Sequence, residues 1–284
     1  MYIGDYLARR ELYSPDRTAI IDTGKSPEWR LTFRQMNERA NRLANWLRDT
    51  AGVGRGDRVA ILAHDGVEHL DTFFACGKLG AIHTALNWRL HPQELAGIVA
   101  QTTPRVLVFS DDVRDKVVQL RALLSGQPHD IGWMVVLGDG DELPDYERFE
   151  RVLRGAPAEP VATDELEAED IAALIFTGGT TGLPKAAQVS HRMIGWNTLN
   201  TVIHDVTHDD VYLNVFPMFH TGGLFVYTLP QIIFGGTTIL MRPFDPPRVL
   251  ELIERERVTI FGAVPTMYQL IAQAPNWPAA DLSS

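Results

Sequence analysis

Short runs of apolar and β-branched residues recur along the chain and predict β-strands. The runs are Val59–Leu62, Val106–Phe109, Trp133–Leu137, Ile171–Phe176 and Val258–Phe261. Continuous apolar runs of this length are typical of strands that are buried on both faces of a sheet.

Amphipathic stretches between these runs predict helices with recognisable starting signals. They are Phe33–Arg48 with the capping-box pair Thr32 and Gln35, a helix through Val99 opened by His91 and Pro92, and Val249–Arg255 after Asp245 and Pro246. Strands that alternate with helices of this length indicate parallel βαβ units. The sequence therefore predicts an α/β protein with layered β-sheets and flanking helices.

An acidic stretch that contains prolines separates the two halves of the chain. Residues 141–170 hold eleven acidic residues against three arginines, together with Pro144, Pro157 and Pro160. We interpret the stretch as a linker or a solvated excursion, since runs of like charge are usually solvated. A cation-binding acidic loop is the alternative. The expected organisation is an N-terminal α/β subdomain over 1–165, ending in this acidic linker, and a second α/β subdomain over 166–284.

Composition and charge exclude several classes of protein. The chain has 284 residues, of which 45% are hydrophobic and 22% charged, so it can form an ordinary folded core. A net charge of −10 disfavours binding to nucleic acid or to an anionic membrane surface. Cys76 is the single cysteine, which excludes an internal disulfide, and its apolar surroundings predict a buried thiol.

No segment has the features of a targeting or membrane-spanning sequence. The N-terminus carries an early acid, Asp5, and lacks the apolar region of a signal peptide. The most apolar window, Leu224–Phe234, is interrupted by Pro230 and Gln231 and is shorter than the ~18 residues that a spanning helix needs. We therefore expect a cytoplasmic location and no membrane span.

The densest local signal is the sequence Thr177–Lys185, which reads TGGTTGLPK. Its glycines can direct backbone N–H groups outward, its threonines add hydroxyl groups, and Lys185 adds a positive charge; all of these bind phosphate oxygens. A flexible hairpin loop between the strand Ile171–Phe176 and the stretch Ala186–Val189 is the alternative interpretation.

The spacing of this loop does not fit a Walker-type phosphate loop. That motif needs a glycine directly before the lysine and a helix directly after it. Here Leu183 and Pro184 come before Lys185, and the chain after the lysine has the pattern of a strand, with Ser190 as the N-cap of a later helix over Met193–His204. The sequence predicts strand, loop, strand, which disfavours a P-loop hydrolase.

Thr177–Lys185 resembles the phosphate-binding signature of the adenylate-forming superfamily, which includes acyl-CoA synthetases, beetle luciferases and peptide-synthetase adenylation domains. The chain departs from the signature at Ala186, where the family usually has glycine. Phe216–Gly223 resembles the substrate-side motif of the family, Ala263–Tyr268 resembles the strand-to-helix element that follows it, and Lys78–Ala81 with Leu86–Leu90 resembles an upstream region. The Asn-x-Arg-Leu and Phe-His-Thr-Gly-Gly forms resemble CoA ligases of carboxylic acids more than peptide synthetases.

The resemblance implies an activity and a set of substrates. A carboxylic acid and ATP would form an acyl-AMP and pyrophosphate, and coenzyme A would then take the acyl group, as in fatty acid metabolism. ATP, Mg²⁺ and coenzyme A are the implied cofactors and co-substrates, and a homodimer is left open. Members of the family continue into an adenine pocket and a C-terminal lid, so the resemblance also implies that this chain is an N-terminal portion.

The resemblance assigns roles to individual residues. Those expected to bind the nucleotide phosphates are Thr177, Gly178, Gly179, Thr180, Thr181, Gly182 and Lys185. Thr177 would supply the hydroxyl nearest to the metal, and His220 and Lys185 would be the catalytic residues. His220, Gly222 and Gly223 would bind the acid.

Two alternatives remain open at the level of sequence. His220 lies beside Phe216, Phe219 and Phe225 and is also explained as a packed side chain. The whole chain is also explained as a naturally short, non-catalytic homologue that binds a nucleotide or an acyl group. The spacing of the nine histidines does not lead us to assign a zinc site.

Overall fold

The computed structural model describes residues 3–126, 129–141, 144–161, 166–177 and 184–284. The strands are β1 Thr18–Asp22, β2 Trp29–Thr32, β3 Arg58–Leu62, β4 Ile82–Ala85, β5 Val106–Phe109, β6 Trp133–Val136, β7 Glu147–Arg148, β8 Ile171–Thr177, β9 Lys185–Ser190, β10 Val211–Asn214, β11 Thr237–Leu240 and β12 Ile260–Phe261. The α-helices are α1 Ile3–Tyr13, α2 Phe33–Asp49, α3 Val67–Leu79, α4 Pro92–Thr102, α5 Arg114–Leu124, α6 Phe149–Gly155, α7 His191–Asn200, α8 Thr228–Phe234, α9 Pro246–Glu256 and α10 Pro265–Ala272. Short 3₁₀ turns and one π-helical turn, Gly222–Val226, complete the described elements.

The chain forms two compact units that are interleaved in sequence. The first contains Met1–Ala8, Asn37–His64 and Glu68–Ile194, and the second contains Arg9–Met36, Asp65–Val67 and Gly195–Ser284. The division into an N-terminal subdomain over 1–165 and a second subdomain over 166–284 stays a prediction.

Within the described residues, the first unit is built on a seven-stranded sheet with the order β7-β6-β5-β3-β4-β8-β9. Neighbouring strands are parallel except for the last pair, β8 and β9, which is antiparallel. Leu62, Leu107 and Phe109 of the sheet pack against apolar side chains of α4 and α5 in one core. The predicted α/β class, with parallel strands joined through helices, is confirmed.

The acidic stretch is folded in part. Residues 147–155 form β7 and α6, and the side chains of Phe149, Val152 and Leu153 are buried. Glu150 of α6 accepts hydrogen bonds from Arg39, which also binds the buried carboxylate of Asp71. The charge count conceals this element because its apolar residues, at helical spacing, provide the burial that holds it in place.

The second unit contains, in the described part of the chain, a five-stranded sheet with the order β12-β10-β11-β1-β2. β10 pairs in parallel with both β11 and β12, and β2 is antiparallel to β1. Ile21, Leu213 and Ile239 of the sheet lie in one core with the apolar face of α9. The predicted strand Val258–Phe261 is shorter than expected, since only Ile260 and Phe261 pair with β10.

Two of the three helix starts act as the sequence predicts, while at the third, α9 begins at Pro246 but the side chain of Asp245 makes no capping hydrogen bond. Thr32 N–H donates to Oε1 of Gln35 at 2.9 Å, and Gln35 N–H donates to Oγ1 of Thr32 at 3.3 Å, which completes the capping box of α2. His91 caps α4 in the same reciprocal way with Glu94. The hydroxyl of Ser190 accepts from Met193 N–H at 3.2 Å, although α7 already begins at His191.

The burial of Cys76 and the apolar character of the helices are both addressed by the sequence. Cys76 is fully buried, as predicted, and burial raises the pKa of its thiol. None of the helices in the described ranges combines the length and the apolar character that crossing a membrane requires.

Candidate active site

The predicted phosphate loop connects two antiparallel strands of the first unit. β8 and β9 pair from Ile171↔Ser190 to Thr177↔Lys185, so that Thr177 and Lys185 face each other where the hairpin opens. The hydroxyl of Thr177 donates to the backbone carbonyl of Lys185 at 3.3 Å, and both side chains are exposed. The prediction of a strand on each side of Thr177–Lys185 is therefore confirmed, and the strand that follows Lys185 differs from a Walker loop, which leads directly into a helix.

The central residues of the loop lie outside the described part of the chain. They are Gly178, Gly179, Thr180, Thr181 and Gly182. Their assignment to phosphate binding stays a prediction. What the structure describes is the frame of the loop, whose two ends are fixed by the backbone hydrogen bonds of the β8–β9 pair.

His220 lies in a tight segment of the second unit, between β10 and the π-helical turn. Its backbone N–H donates to the carbonyl of Pro217 at 3.0 Å. Its own carbonyl accepts from Gly223 N–H at 3.1 Å and from Leu224 N–H at 3.2 Å. These bonds fix the backbone of His220, while its imidazole is exposed.

The imidazole of His220 has a defined acceptor. Gly222 N–H donates to Nδ1 at 3.1 Å, and the hydroxyl of Thr221 lies 3.5 Å from the same atom. A ring nitrogen that accepts a hydrogen bond is unprotonated, so the neutral ring carries its proton on Nε2. This tautomer, assigned from the hydrogen bond, gives His220 one N–H that can donate to an oxygen of a ligand.

The two glycines after His220 differ in the space around them. A Cβ on Gly223 would lie 2.2 Å from the carbonyl oxygen of Pro217, which no side chain can tolerate. A Cβ on Gly222 would lie 3.4 Å from Nδ1 of His220, which is close to ordinary contact. Gly223 is therefore required by the backbone of its own segment, independently of any substrate.

Aromatic side chains lie near this segment. A Cβ on Gly262 would lie 3.7 Å from the ring of Phe216 and 3.9 Å from the ring of Tyr227, in ordinary contact with both. Oη of Tyr227 lies 3.1 Å from Nδ1 of His204. The apolar window Leu224–Phe234, by contrast, is largely core: Leu224, Leu229 and Ile232 are among its buried side chains.

Two anchors of the His220 segment carry no motif signal in the sequence. Oδ1 of Asp65 accepts from Met218 N–H at 2.6 Å, and the buried side chain of Asn214 binds the backbone at both Phe216 and Gly223. A polar residue at the carboxyl end of a parallel strand could have indicated Asn214, because ligand sites of α/β sheets gather at those ends. No local pattern indicates Asp65.

The upstream region of resemblance lies in the first unit and is held mainly by packing. Lys78 is buried and donates from Nζ to Oδ1 of Asn37 at 2.7 Å. The ring of Trp88 lies 4.0 Å from the ring of His64, and Arg89 stacks over Trp88 at 4.9 Å. In the described ranges, no three His, Cys, Asp or Glu side chains cluster as a metal site would need.

Comparison with known proteins identifies the family. The model of the family described as AMP-binding enzyme matches residues 7–284. The feruloyl-CoA synthase of an Amycolatopsis species is 38% identical over 283 residues, which are 99% of this chain and 52% of that protein. The chain spans about half the length of the curated relatives it matches.

Solved structures give the same result. The inhibitor-bound N-terminal domain of FACL13 from Mycobacterium tuberculosis is 30% identical, with a TM-score of 0.88 over 99% of this chain and 67% of that one. The anthranilate CoA ligase AuaEII, in complex with anthranoyl-AMP, is 27% identical, with a TM-score of 0.89 over 100% of this chain and 53% of that one. By sequence and by fold, the chain belongs to the AMP-binding enzyme family and corresponds to an N-terminal portion of its members.

Proposed function

We propose that the protein containing this chain is an ATP-dependent carboxylic acid–CoA ligase, an acyl-CoA synthetase. The observation that carries the proposal is the β8–β9 hairpin, which opens at Thr177 and Lys185 around the phosphate signature in a chain of the AMP-binding enzyme family. The chain contributes the N-terminal portion, in which we place nucleotide and acid binding.

The chemistry requires negative charges to be brought together. A carboxylate oxygen attacks the α-phosphorus of ATP and pyrophosphate leaves; the thiol of CoA then attacks the acyl carbonyl and AMP leaves. Protein donors that hold the phosphates reduce the repulsion in the first step. Lys185 and the loop residues Thr177, Gly178, Gly179, Thr180, Thr181 and Gly182 provide ammonium, hydroxyl and N–H donors for this purpose.

Thr177 is our candidate for a contact with Mg²⁺. Its hydroxyl hydrogen points to the carbonyl of Lys185, which leaves oxygen lone pairs for a cation. One neutral oxygen does not hold Mg²⁺ alone, but Mg²⁺ in nucleotide sites is bound largely by phosphates and water. The donor set thus fits a metal that arrives with ATP, and Mg²⁺ would neutralise the charge of the phosphate oxygens.

His220 is our candidate for orienting the acid. Its Nε2–H can donate to an oxygen of the carboxylate and hold that oxygen in position for attack, which is a positioning effect rather than nucleophilic catalysis. Gly222 N–H occupies Nδ1, which leaves Nε2–H as the donor to the acid. Gly223 keeps the segment tight enough for Gly222 N–H to reach Nδ1.

Aromatic acids are the substrate class that we propose to test first. The rings of Phe216 and Tyr227 both lie near Gly262, and flat aromatic substrates pack favourably against aromatic side chains. Feruloyl-CoA synthase and anthranilate CoA ligase, to which the chain is similar, are named for aromatic acids. Long-chain fatty acids are the competing class.

The proposal includes the setting of the enzyme. A net charge of −10 supports the absence of nucleic-acid partners. We further propose a cytoplasmic location, where ATP and CoA are available as substrates. Light scattering on the purified protein tests for a homodimer.

The deciding experiment is acid-dependent exchange of pyrophosphate into ATP in the presence of Mg²⁺. It is run with the 284-residue chain and with the gene product that contains it, across aromatic, short-chain and long-chain acids, with Lys185→Ala as the control. Exchange by the gene product that the control lacks supports the proposal, and the preferred acid names the substrate class. If neither protein exchanges with any acid while ATP still binds, the ligase proposal is wrong and a binding homologue is favoured.

A further inference from the structure

The side chain of Asn214 is buried at the end of β10 and uses its hydrogen-bonding groups on the segment that contains His220. Its Oδ1 accepts from Phe216 N–H at 3.0 Å and from the hydroxyl of Tyr212 at 3.3 Å. Its Nδ2 donates to the carbonyl of Gly223 at 3.2 Å and lies 3.3 Å from Sδ of Met218. One carboxamide thus joins the first and last parts of the segment 216–223.

We propose that Asn214 is a positioning residue that fixes the tautomer and direction of the His220 imidazole. The inference rests on the proposed function, in which His220 orients the acid, and it concerns a residue that does not touch the substrate. It follows from the two hydrogen bonds by which Asn214 joins Phe216 to Gly223 across the segment 216–223.

The carbonyl of Gly223 is the acceptor through which Asn214 holds the last part of the segment 216–223. It accepts from Nδ2 of Asn214 at 3.2 Å and from the hydroxyl of Thr228 at 2.6 Å, so both of its lone pairs are occupied. Gly223 N–H donates to the carbonyl of His220. With Gly223 held on both sides, the π-helical turn keeps Gly222 N–H directed at Nδ1 of His220, at 3.1 Å.

The imidazole depends on this arrangement for its tautomer. Gly222 N–H makes Nδ1 the acceptor and leaves the proton on Nε2. The ring is exposed, the Thr221 hydroxyl 3.5 Å from Nδ1 can act as donor or acceptor, and histidine tautomers are commonly set by the bond that the other nitrogen makes. Release of the Gly223 carbonyl would let the turn move and remove that selection.

The chemistry of the amide explains why an asparagine occupies this buried position. A burial of 98% penalises a polar side chain unless it is fully hydrogen-bonded. An ionised aspartate of the same shape could still accept from Phe216 N–H, but it would present an oxygen without a proton to the carbonyl oxygen of Gly223, and the comparison is therefore made at alkaline pH. Asn214→Asp therefore breaks one end of the closure and keeps the other.

Histidine NMR measures the tautomer directly. The 284-residue chain is labelled with ¹⁵N-histidine, and the signals of His220 are assigned by their loss in His220→Gln. The wild type should show an unprotonated Nδ1 and a protonated Nε2. Asn214→Asp should show averaged signals of the two neutral forms, while the matched control Asn276→Ala, which loses an amide bond to the carbonyl of Pro247, should keep the wild-type signals.

The outcomes separate this inference from the proposed function. If Asn214→Asp folds and keeps the wild-type His220 signals, the positioning role is wrong. If it does not fold, Asn214→Ser replaces it, since the shorter side chain lacks the amide donor to the carbonyl of Gly223, and unchanged His220 signals in that variant overturn the proposal equally.

Activity provides the second readout. In the gene product, Asn214→Asp should lower the maximal rate of pyrophosphate exchange by about tenfold to a hundredfold, the size expected for a misplaced reacting group, and leave the affinity for ATP unchanged. Full exchange activity in a variant whose His220 tautomer has changed would overturn the functional part of the inference. Absence of exchange in the wild type would instead count against the ligase proposal, with the NMR comparison still deciding the role of Asn214.

Discussion

Adjacent glycines in the His220 segment provide a sharp test of the structure, because alanine should be tolerated at one and not at the other. At Gly223 the new Cβ would lie 2.2 Å from the carbonyl oxygen of Pro217, 2.5 Å from its carbonyl carbon and 2.7 Å from the carbonyl oxygen of Phe216. At Gly222 the nearest atom, Nδ1 of His220, is 3.4 Å away. The contacts at Gly223 are with backbone, which cannot rotate away as a side chain can.

The magnitudes follow from these distances. Overpacking against a fixed neighbour costs about 1–3 kcal/mol, and displacement of Pro217 also breaks the bond from His220 N–H, which contributes about 1 kcal/mol. Gly223→Ala should therefore lower the free energy of unfolding by about 3 kcal/mol. Gly222→Ala reduces the conformational freedom of the unfolded chain and adds no close contact in the folded state. It should therefore change the free energy of unfolding by at most about 1 kcal/mol.

Thermal unfolding followed by circular dichroism checks the pair. For a domain of this size, about 3 kcal/mol corresponds to a decrease in the melting temperature of about 10 °C. Gly222→Ala should melt near the wild type. If the two variants melt within about 2 °C of each other, the close approach of Gly223 to Pro217 does not exist in the protein and the argument for the His220 segment fails with it.

Further predictions concern the phosphate loop and two buried groups. Lys185→Ala should weaken ATP binding by at least about tenfold, the value of one charge-assisted hydrogen bond, and unchanged affinity in calorimetry would remove the role given to Lys185. Burial lowers the pKa of His83 to about 3, so the unfolded state binds more protons below pH 6.5 and the folded state loses stability as the pH falls. Urea titrations measure the unfolding free energies of His83→Leu and of the wild type. As the pH falls from 6.5 to 5, the difference between them should change by up to about 2 kcal/mol in favour of His83→Leu, and parallel pH profiles would contradict this. Arg39→Ala leaves the buried carboxylate of Asp71 without its partner and should destabilise by about 3–5 kcal/mol in the same assay, whereas Arg34→Ala, on the same helix but in an exposed pair, should cost at most about 1 kcal/mol. Equal effects of the two arginine variants would show that burial does not distinguish the pairs.

Local features of the fold could be predicted from the sequence because their causes are local. The apolar run Val106–Phe109 is strand β5 residue for residue, and the Thr32 and Gln35 pair marks the start of α2. The strand pattern of the residues after Lys185 is sufficient to distinguish the loop from a Walker motif. In each case the signal and the structure that it determines lie within a few residues of each other.

Features that depend on distant pairing could not be predicted in this way. Nothing in the run Ile171–Phe176 shows that it will lie beside β4 in the sheet of the first unit. Phe149 is buried within a stretch whose charge count indicates solvent. Asn214 and Asp65 are recognised only when the backbone that they bind, at Gly223 and Met218, has been folded next to them.

The phosphate loop of the first unit and the His220 segment of the second unit are held by different interactions, and the difference makes their roles separable by mutation. The ends of the phosphate loop are fixed by backbone hydrogen bonds of the β8–β9 pair, which substitutions other than proline leave in place. The His220 segment is closed by the side chain of Asn214, so one substitution can change it. Asn214→Asp should therefore lower the acid-dependent exchange rate at saturating ATP and leave the affinity for ATP unchanged. Lys185→Ala should weaken the affinity for ATP and leave the affinity for the acid unchanged. If both variants weakened both ligands equally, loss of the folded state, and not loss of either contact, would be the common cause.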